Sequence, residues 1–265
     1  MEMVIKGRDV LPNDFHTHSV QSLCGMLTVM EILRVAASKG TRIVNICDHG
    51  MEAGKKMNFG VIGNPLRTPD VVEFHDSRCS APIHVSLLAG IEANILDDGS
   101  CDLPSGTLKS SSHKFKLVSA GFHSYAKELK AMRNPYANFE ALQTYVSNNP
   151  LDILTHPCID TFPFPIDDLI QLALEYDFAL EVNNTNLVVS KTNVPLLREM
   201  IEKAHNAGVD LVCNSDGHTW YELNECGAVR ALVEGEMGMN MADVFPLNFC
   251  SPDNPALVGF IRGTN

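Results

Sequence analysis

Asp14-Phe15-His16-Thr17-His18 alternates as a β-strand does, so Asp14, His16 and His18 share one face and Phe15 and Thr17 the other. Two imidazoles at neighbouring same-face positions can grip one transition-metal ion. A carboxylate one step behind can fix the tautomer of a ligating ring. The motif is weak alone, because an edge strand with incidental histidines reads the same way. Its weight comes from what recurs downstream. Apolar runs end successively at His49, Glu92, His123, His156, and Asp216 with His218. Six of the ten histidines thus fall at predicted strand ends, whereas His75, His84, His113 and His205 do not.

Together these residues outnumber the three or four protein ligands of a single catalytic zinc, so two or three metals are expected. Imidazole mixed with carboxylate suits zinc, manganese or iron, while magnesium and calcium prefer all-oxygen shells. Glu92 and Asp216 are the carboxylates that could bridge two ions. Paired ions ~3.5–4 Å apart acidify a bridging water and clamp the attacking and leaving oxygens of an in-line displacement. Phosphoester hydrolysis needs both.

The elements that must position them follow a regular beat. Thr28 and Glu31 have capping-box spacing for a helix that stops at Gly40. Strands are expected over 42–47, 85–91, 116–120, 152–155, 178–182 and 209–213. Helices are expected over about 138–146, 167–176, from Asn193 to Gly208, over 221–233, and after Pro255. Segment 51–82 reads as an irregular connection with a short helix near Val71 to His75, and 100–113 as an exposed loop or hairpin. Strand, loop and helix recurring about seven times describe βα units around a parallel sheet. Ligand-type residues at every strand end favour a closed barrel, whose loops frame one mouth, over an open sheet with one switch point.

A chain of 265 residues, 45% hydrophobic and 20% charged, fits a single α/β domain spanning 1–265. The net charge of -12 disfavours a nucleic-acid-coating surface but not a phosphate substrate, because bound cations reverse the local sign. Eight cysteines without a C-x-x-C pair, and no apolar leader or membrane span, point to free thiols in the cytoplasm.

Asp14-x-His16-x-His18, Asp48-His49, Gly90-Ile-Glu-Ala-Asn-Ile95, Gly121-Phe-His123, His156-Pro157, Glu181-Val-Asn-Asn184 and Ser215-Asp-Gly-His218-Thr219 resemble, in order, the motif series of the PHP (polymerase and histidinol phosphatase) superfamily. The likeness is nearest to its stand-alone phosphatases of the YcdX-like branch and runs from Asp14 to about Val233. It implies a distorted (β/α)7 barrel, resembling a TIM barrel, with a trinuclear cluster, commonly of zinc, at the C-terminal rim, and hydrolysis of small phosphoesters. By this resemblance His16, His18, Glu92 and Asp216 hold a first metal. Glu92 bridges to a second held by His123 and His156, and His49 and His218 serve a third. Asp14 and Asp48 would orient neighbouring rings. A metal-bridging hydroxide would attack phosphorus, with Asp216 or a metal-bound water handling protons.

The chain departs from the pattern at Cys24, where the nearest family members have a further histidine. A thiolate is a good zinc ligand, but a loop cysteine beside a vacant third site is the equal alternative. Glu181 and Asn183 share one strand face, either as a ring-orienting carboxylate and a substrate-binding amide or as a buried hydrogen-bonded pair. Lys127, Lys130 and Arg133 could meet substrate phosphate, although a solvated helix face accounts for them better. Other functions remain open on the same residues: a nuclease or phosphodiesterase, which would want a basic groove; a non-catalytic metal-binding module; or an amidohydrolase-type enzyme, for which no strand-end lysine offers itself. The oligomeric state is not legible.

Overall fold

Strands covered on both faces read as unbroken apolar or buried runs, and most strands here do. β1 (Asn13–Thr17), β2 (Ile43–Ile46), β5 (Ile91–Asn94), β6 (Val118–Gly121), β8 (Ala179–Asn183) and β9 (Leu211–Asn214) are buried along their whole length. The computed structural model describes residues 9–22, 24–50, 68–75, 82–109, 115–124 and 134–262. The basic residues Lys127, Lys130 and Arg133 lie outside the described residues, as do most of segment 51–82 and residues 110–113.

With β3 (Val71–Phe74), β4 (Ile83–Ala89) and β7 (Ile153–Leu154), the strands form two sheets, in the orders β1-β2-β4-β3 and β5-β6-β7-β8-β9. All pairings are parallel except β3 with β4. The expected barrel is therefore not drawn as one closed sheet. Isolated parallel bridges, His49 with Glu92 and Thr17 with Gly217, join the two sheets at two points. β4 and β5 are separated by Gly90 alone, where a Cβ would run into the Asn45 side chain.

Helices Asn184–Val188, Met241–Val244 and Pro246–Phe249 go beyond the sequence reading, and two further elements contradict it. The segment at Val71 to Phe74 is an edge strand, not a helix. Its residues alternate between exposed and half-buried, which suits Val and Phe on a pleated surface. The helix expected over 221–233 begins only at Gly227 and continues as a π-helical stretch, Ala231–Glu236. The residues before it are occupied otherwise. Glu222 accepts from the backbone of His218 and Thr219 at 3.1 and 3.0 Å, and Asn224 donates to Asp14. Local bonds of this kind compete with a helical ladder.

The helices pack by their apolar stripes. Val29–Lys39 has its capping box at Thr28 and Glu31, and Asn193 caps Val194–Ala207. Helices Pro135–Asn148, Ile166–Tyr176 and Val194–Ala207 bury Leu142, Leu169 and Met200 against the β5–β9 sheet. A separate cluster takes Phe15, Ile43, Leu88, Ile153, Ala179 and Val212 from six strands, with Leu247 and Leu257 from the C-terminal helices Pro246–Phe249 and Pro255–Arg262. Phe15 meets Phe260 edge-on with centroids 5.6 Å apart. The tail thus seals the end of the strands remote from the histidines. Among the described residues, no helix is long and apolar enough to cross a membrane.

Candidate metal centre

The strand ends deliver their side chains to one place. The His16 and His18 Nε2 atoms lie 2.9 Å apart, whereas Asp14 turns to Ser215 and Asn224. β5 brings in Glu92, whose two oxygens face different imidazole sets. Oε2 lies 3.3 Å from His16 Nε2, 3.4 Å from His18 Nε2 and 3.1 Å from His49 Nδ1. Oε1 lies 3.4 Å from His123 Nε2 and 3.3 Å from His156 Nε2. Thr155 Oγ1 donates to the same Oε1 at 2.8 Å. Asp216 Oδ1 is 3.4 Å from His16 Nε2 and 3.3 Å from His18 Nε2, and its Oδ2 accepts from Asn183 Nδ2. His156 and Asp216 both have left-handed backbone, φ 37 and 51, a strain that concentrates at functional sites.

Cys24, exposed on the loop after β1, closes the far side. Its sulfur and the ring nitrogens of His18, His49 and His218 all lie within 4.8 Å of one another. The same limit groups His16, His18 and Asp216, and His49, Glu92 and His123. All nine sequence-derived candidates therefore meet in one cluster, beside a cavity of about 500 Å³.

A network sequence reasoning found only in part holds the rings in place. Glu181 Oε1 accepts from His16 Nδ1 at 2.7 Å and from Asn214 Nδ2 at 2.9 Å, and its Oε2 accepts from the His156 backbone. Asn183 is buried between Glu181 and Asp216 and does not reach the mouth. Asp14 and Asp48 touch no ring in these bonds. Asp14 accepts from Ser215 and Asn224, pinning the loop that carries Asp216 and His218. Asp48 accepts from Ser19 and from Ser22 Oγ, which in turn sits 3.2 Å from His18 Nδ1. Ser19, Ser22, Thr155 and Asn214 had no signal beyond adjacency to a motif.

The electrostatics ask for positive charge. Burial works to raise the Glu92 and Asp216 carboxyls, but the imidazoles, His16 foremost, outweigh it and hold both well below the usual range. Burial likewise works to depress His16, yet Glu181, Glu92 and Asp216 lift it well above an ordinary histidine. Burial leaves His49 well below the ordinary value and His123 below it, so both favour the neutral, ligating form. Desolvation at the cavity wall pushes the Cys24 thiol up to about 12. Glu92 Oε2 is buried with no hydrogen-bond donor. A buried carboxylate oxygen with no donor of its own is costly unless a cation, metal ion or imidazolium, sits beside it. The donor set fits zinc, manganese or iron.

No family model matches the sequence. The chain is 30% identical over 237 residues to a probable phosphatase of Caldanaerobacter subterraneus, covering 89% of this chain and 86% of that one. It is 32% identical over 223 residues to a probable phosphatase of Shewanella oneidensis, covering 83% and 81%. Among solved structures it resembles the histidinol phosphate phosphatase of Lactococcus lactis, complexed with zinc, L-histidinol and phosphate. That match has a TM-score of 0.56 at 15% identity over 86% of this chain and 94% of the other. A putative histidinol phosphatase of Listeria monocytogenes gives 0.51 at 12% identity, covering 80% and 97%. These two likenesses concern the fold.

Proposed function

This chain belongs to the family of those bacterial probable phosphatases, and we propose that it is a metal-dependent phosphatase of the PHP superfamily, YcdX-like, that hydrolyses small phosphomonoesters. One observation carries the reading: the two oxygens of Glu92 face separate imidazole sets across a buried carboxylate. That is the arrangement expected of a residue shared by two cations.

His16, His18, Asp216 and Glu92 Oε2 would hold one cation, and Glu92 Oε1, His123 and His156 a second. His49 and His218 would serve a third. Zinc fits the donors, with manganese or iron as alternatives. Bound cations supply Lewis-acid charge at the phosphoryl oxygens and acidify a water. The chain's own residues do the rest. Glu181 keeps the proton of His16 on Nδ1, leaving Nε2 to face Glu92 and Asp216. Asn183 holds Asp216 Oδ2, so that Oδ1 is turned toward the imidazoles and can take a proton from the attacking water. Asp216 and Glu92 are the proposed catalytic carboxylates. The two bridges between the sheets support reading the strands as a distorted (β/α)7 barrel, and all 265 residues as one domain. The unpaired thiols of the seven described cysteines suit a cytoplasmic enzyme.

The test is phosphate release from a panel of phosphomonoesters, histidinol phosphate among them, with phosphodiesters alongside. Stripping with a chelator should abolish release, and zinc or manganese should restore it. No turnover on any phosphoester with cations demonstrably bound would refute the proposal.

A further inference from the structure

The loop carrying Cys24 is fixed by backbone bonds on either side of it. Val20 N donates to Leu27 O, and Met26 N donates to His218 O, each at 2.8 Å. Gly25 lies so close to the Ser19 carbonyl that a Cβ there would collide with it. The loop therefore turns back over the strand end and presents Cys24 beside His218. The His18 ring stacks between those of His49 and His218, with centroids 4.6 and 4.5 Å away. His218 Nδ1 donates to the Asp216 carbonyl at 2.8 Å, which leaves its Nε2 as the free lone pair. The donor atoms of Cys24, His18, His49 and His218 all lie within 4.8 Å of one another, with Glu92 Oε2 bordering the group 3.1 Å from His49 Nδ1. The group's chemistry is softer than that of the sets built on Glu92 and Asp216.

We propose that Cys24, His49 and His218 form a thiolate-containing site for a thiophilic divalent cation, zinc or cadmium, distinct in preference from the carboxylate-bearing sites beside it. Sulfur with imidazole selects zinc-like ions, whereas manganese and magnesium favour oxygen donors. His18, whose Nε2 faces Glu92 and Asp216, forms the shared wall between the sites. Three protein ligands leave one position open, so the site can carry a water or a substrate oxygen. A chain loaded with manganese alone would then leave this site weakly held, and zinc would fill it first. The proposal rests on the metal-dependent reading of the same cavity, but not on catalysis.

Cobalt(II) substitution tests it directly, because a thiolate bound to cobalt gives a charge-transfer band in the near ultraviolet. The wild-type chain should show that band. Cys24→Ser should lose it together with one cation per chain by elemental analysis. Cys24→His should recover the cation without the band. Thermal melts of the variants confirm folding, which an exposed loop position should tolerate. Cobalt-loaded wild type without the band, or a Cys24→Ser variant that keeps band or stoichiometry, would overturn the proposal. Phosphate release measured in parallel keeps the two readings apart. Turnover without the band sinks the thiolate site alone; the band without turnover sinks the phosphatase alone.

Discussion

Glu181 Oε1 accepts a hydrogen bond from His16 Nδ1 at 2.7 Å, and both side chains are fully buried. A carboxylate can only accept, so this contact assigns the His16 proton to Nδ1 and aims the Nε2 lone pair at Glu92 and Asp216. Glu181→Gln should fold but bind its cations less tightly. Loss of a carboxylate behind a ligating imidazole typically costs ~10–100-fold in metal affinity. Competition with a chromophoric chelator measures it. Unchanged affinity would show that the contact is structural only.

Much of this was legible because a metal site needs particular residue types at strand ends. His16, His49, Glu92, His123 and Asp216 could be placed by counting apolar runs. The supporting network was not, because Ser22, Thr155 and Asn214 are ordinary residues whose value lies in where the backbone puts them. Asp48 shows the limit well. Its position beside His49 suggested a ring partner, yet its oxygens go to Ser19 and Ser22 across the loop. The edge strand at Val71 to Phe74 escaped for another reason. Its pairing partner, β4, lies further along the chain, and four residues carry too little periodicity to choose a period.

Asp152 gives a pH-dependent stability. Burial raises its carboxyl above the ordinary value, although the Val118 N–H donates to Oδ2 at 2.6 Å. With the folded pKa above the unfolded one, the protonated carboxyl stabilises the fold. That contribution is complete below the unfolded value, ~3.9, and is lost as pH rises through the folded value. Asp152→Asn keeps an acceptor for Val118 and removes the buried charge. Its melting temperature should exceed that of the wild type at pH 8, with the gap closing toward pH 4. An equal gap at both ends would exclude this origin.

Lys191 lines the cavity mouth and is exposed. Its backbone is fixed on both sides, donating to Asn186 O at 2.9 Å and accepting from Asp160 N at 3.1 Å. If the proposed phosphoester binds there, the Lys191 ammonium is the cation at hand for a second anionic group on it. Lys191→Ala should raise KM for such substrates up to about fivefold, the ~1 kcal/mol of an exposed ion pair. kcat, and KM for a substrate with a neutral tail, should not move. An equal rise for both substrates would assign Lys191 a general electrostatic effect instead.

Gly121 ends β6 directly beneath the cluster. A Cβ at this position would overlap Thr155 Oγ1 and come within 2.9 Å of His156 Cε1. Thr155 Oγ1 donates to Glu92 Oε1, and His156 Nε2 faces the same oxygen at 3.3 Å. One added methyl therefore presses on two partners of the atom proposed to belong to the second cation, while leaving the His16 side of Glu92 untouched. Overpacking of this kind costs ~1–3 kcal/mol in a well-packed interior. Gly121→Ala should thus lower the melting temperature and bind about one cation fewer per chain, and Gly121→Ala with Thr155→Ala, which removes the overlapped oxygen, should recover part of the melting temperature. If the single variant keeps its full complement of cations and melts as the wild type does, the β6 end is less tightly packed than these distances require.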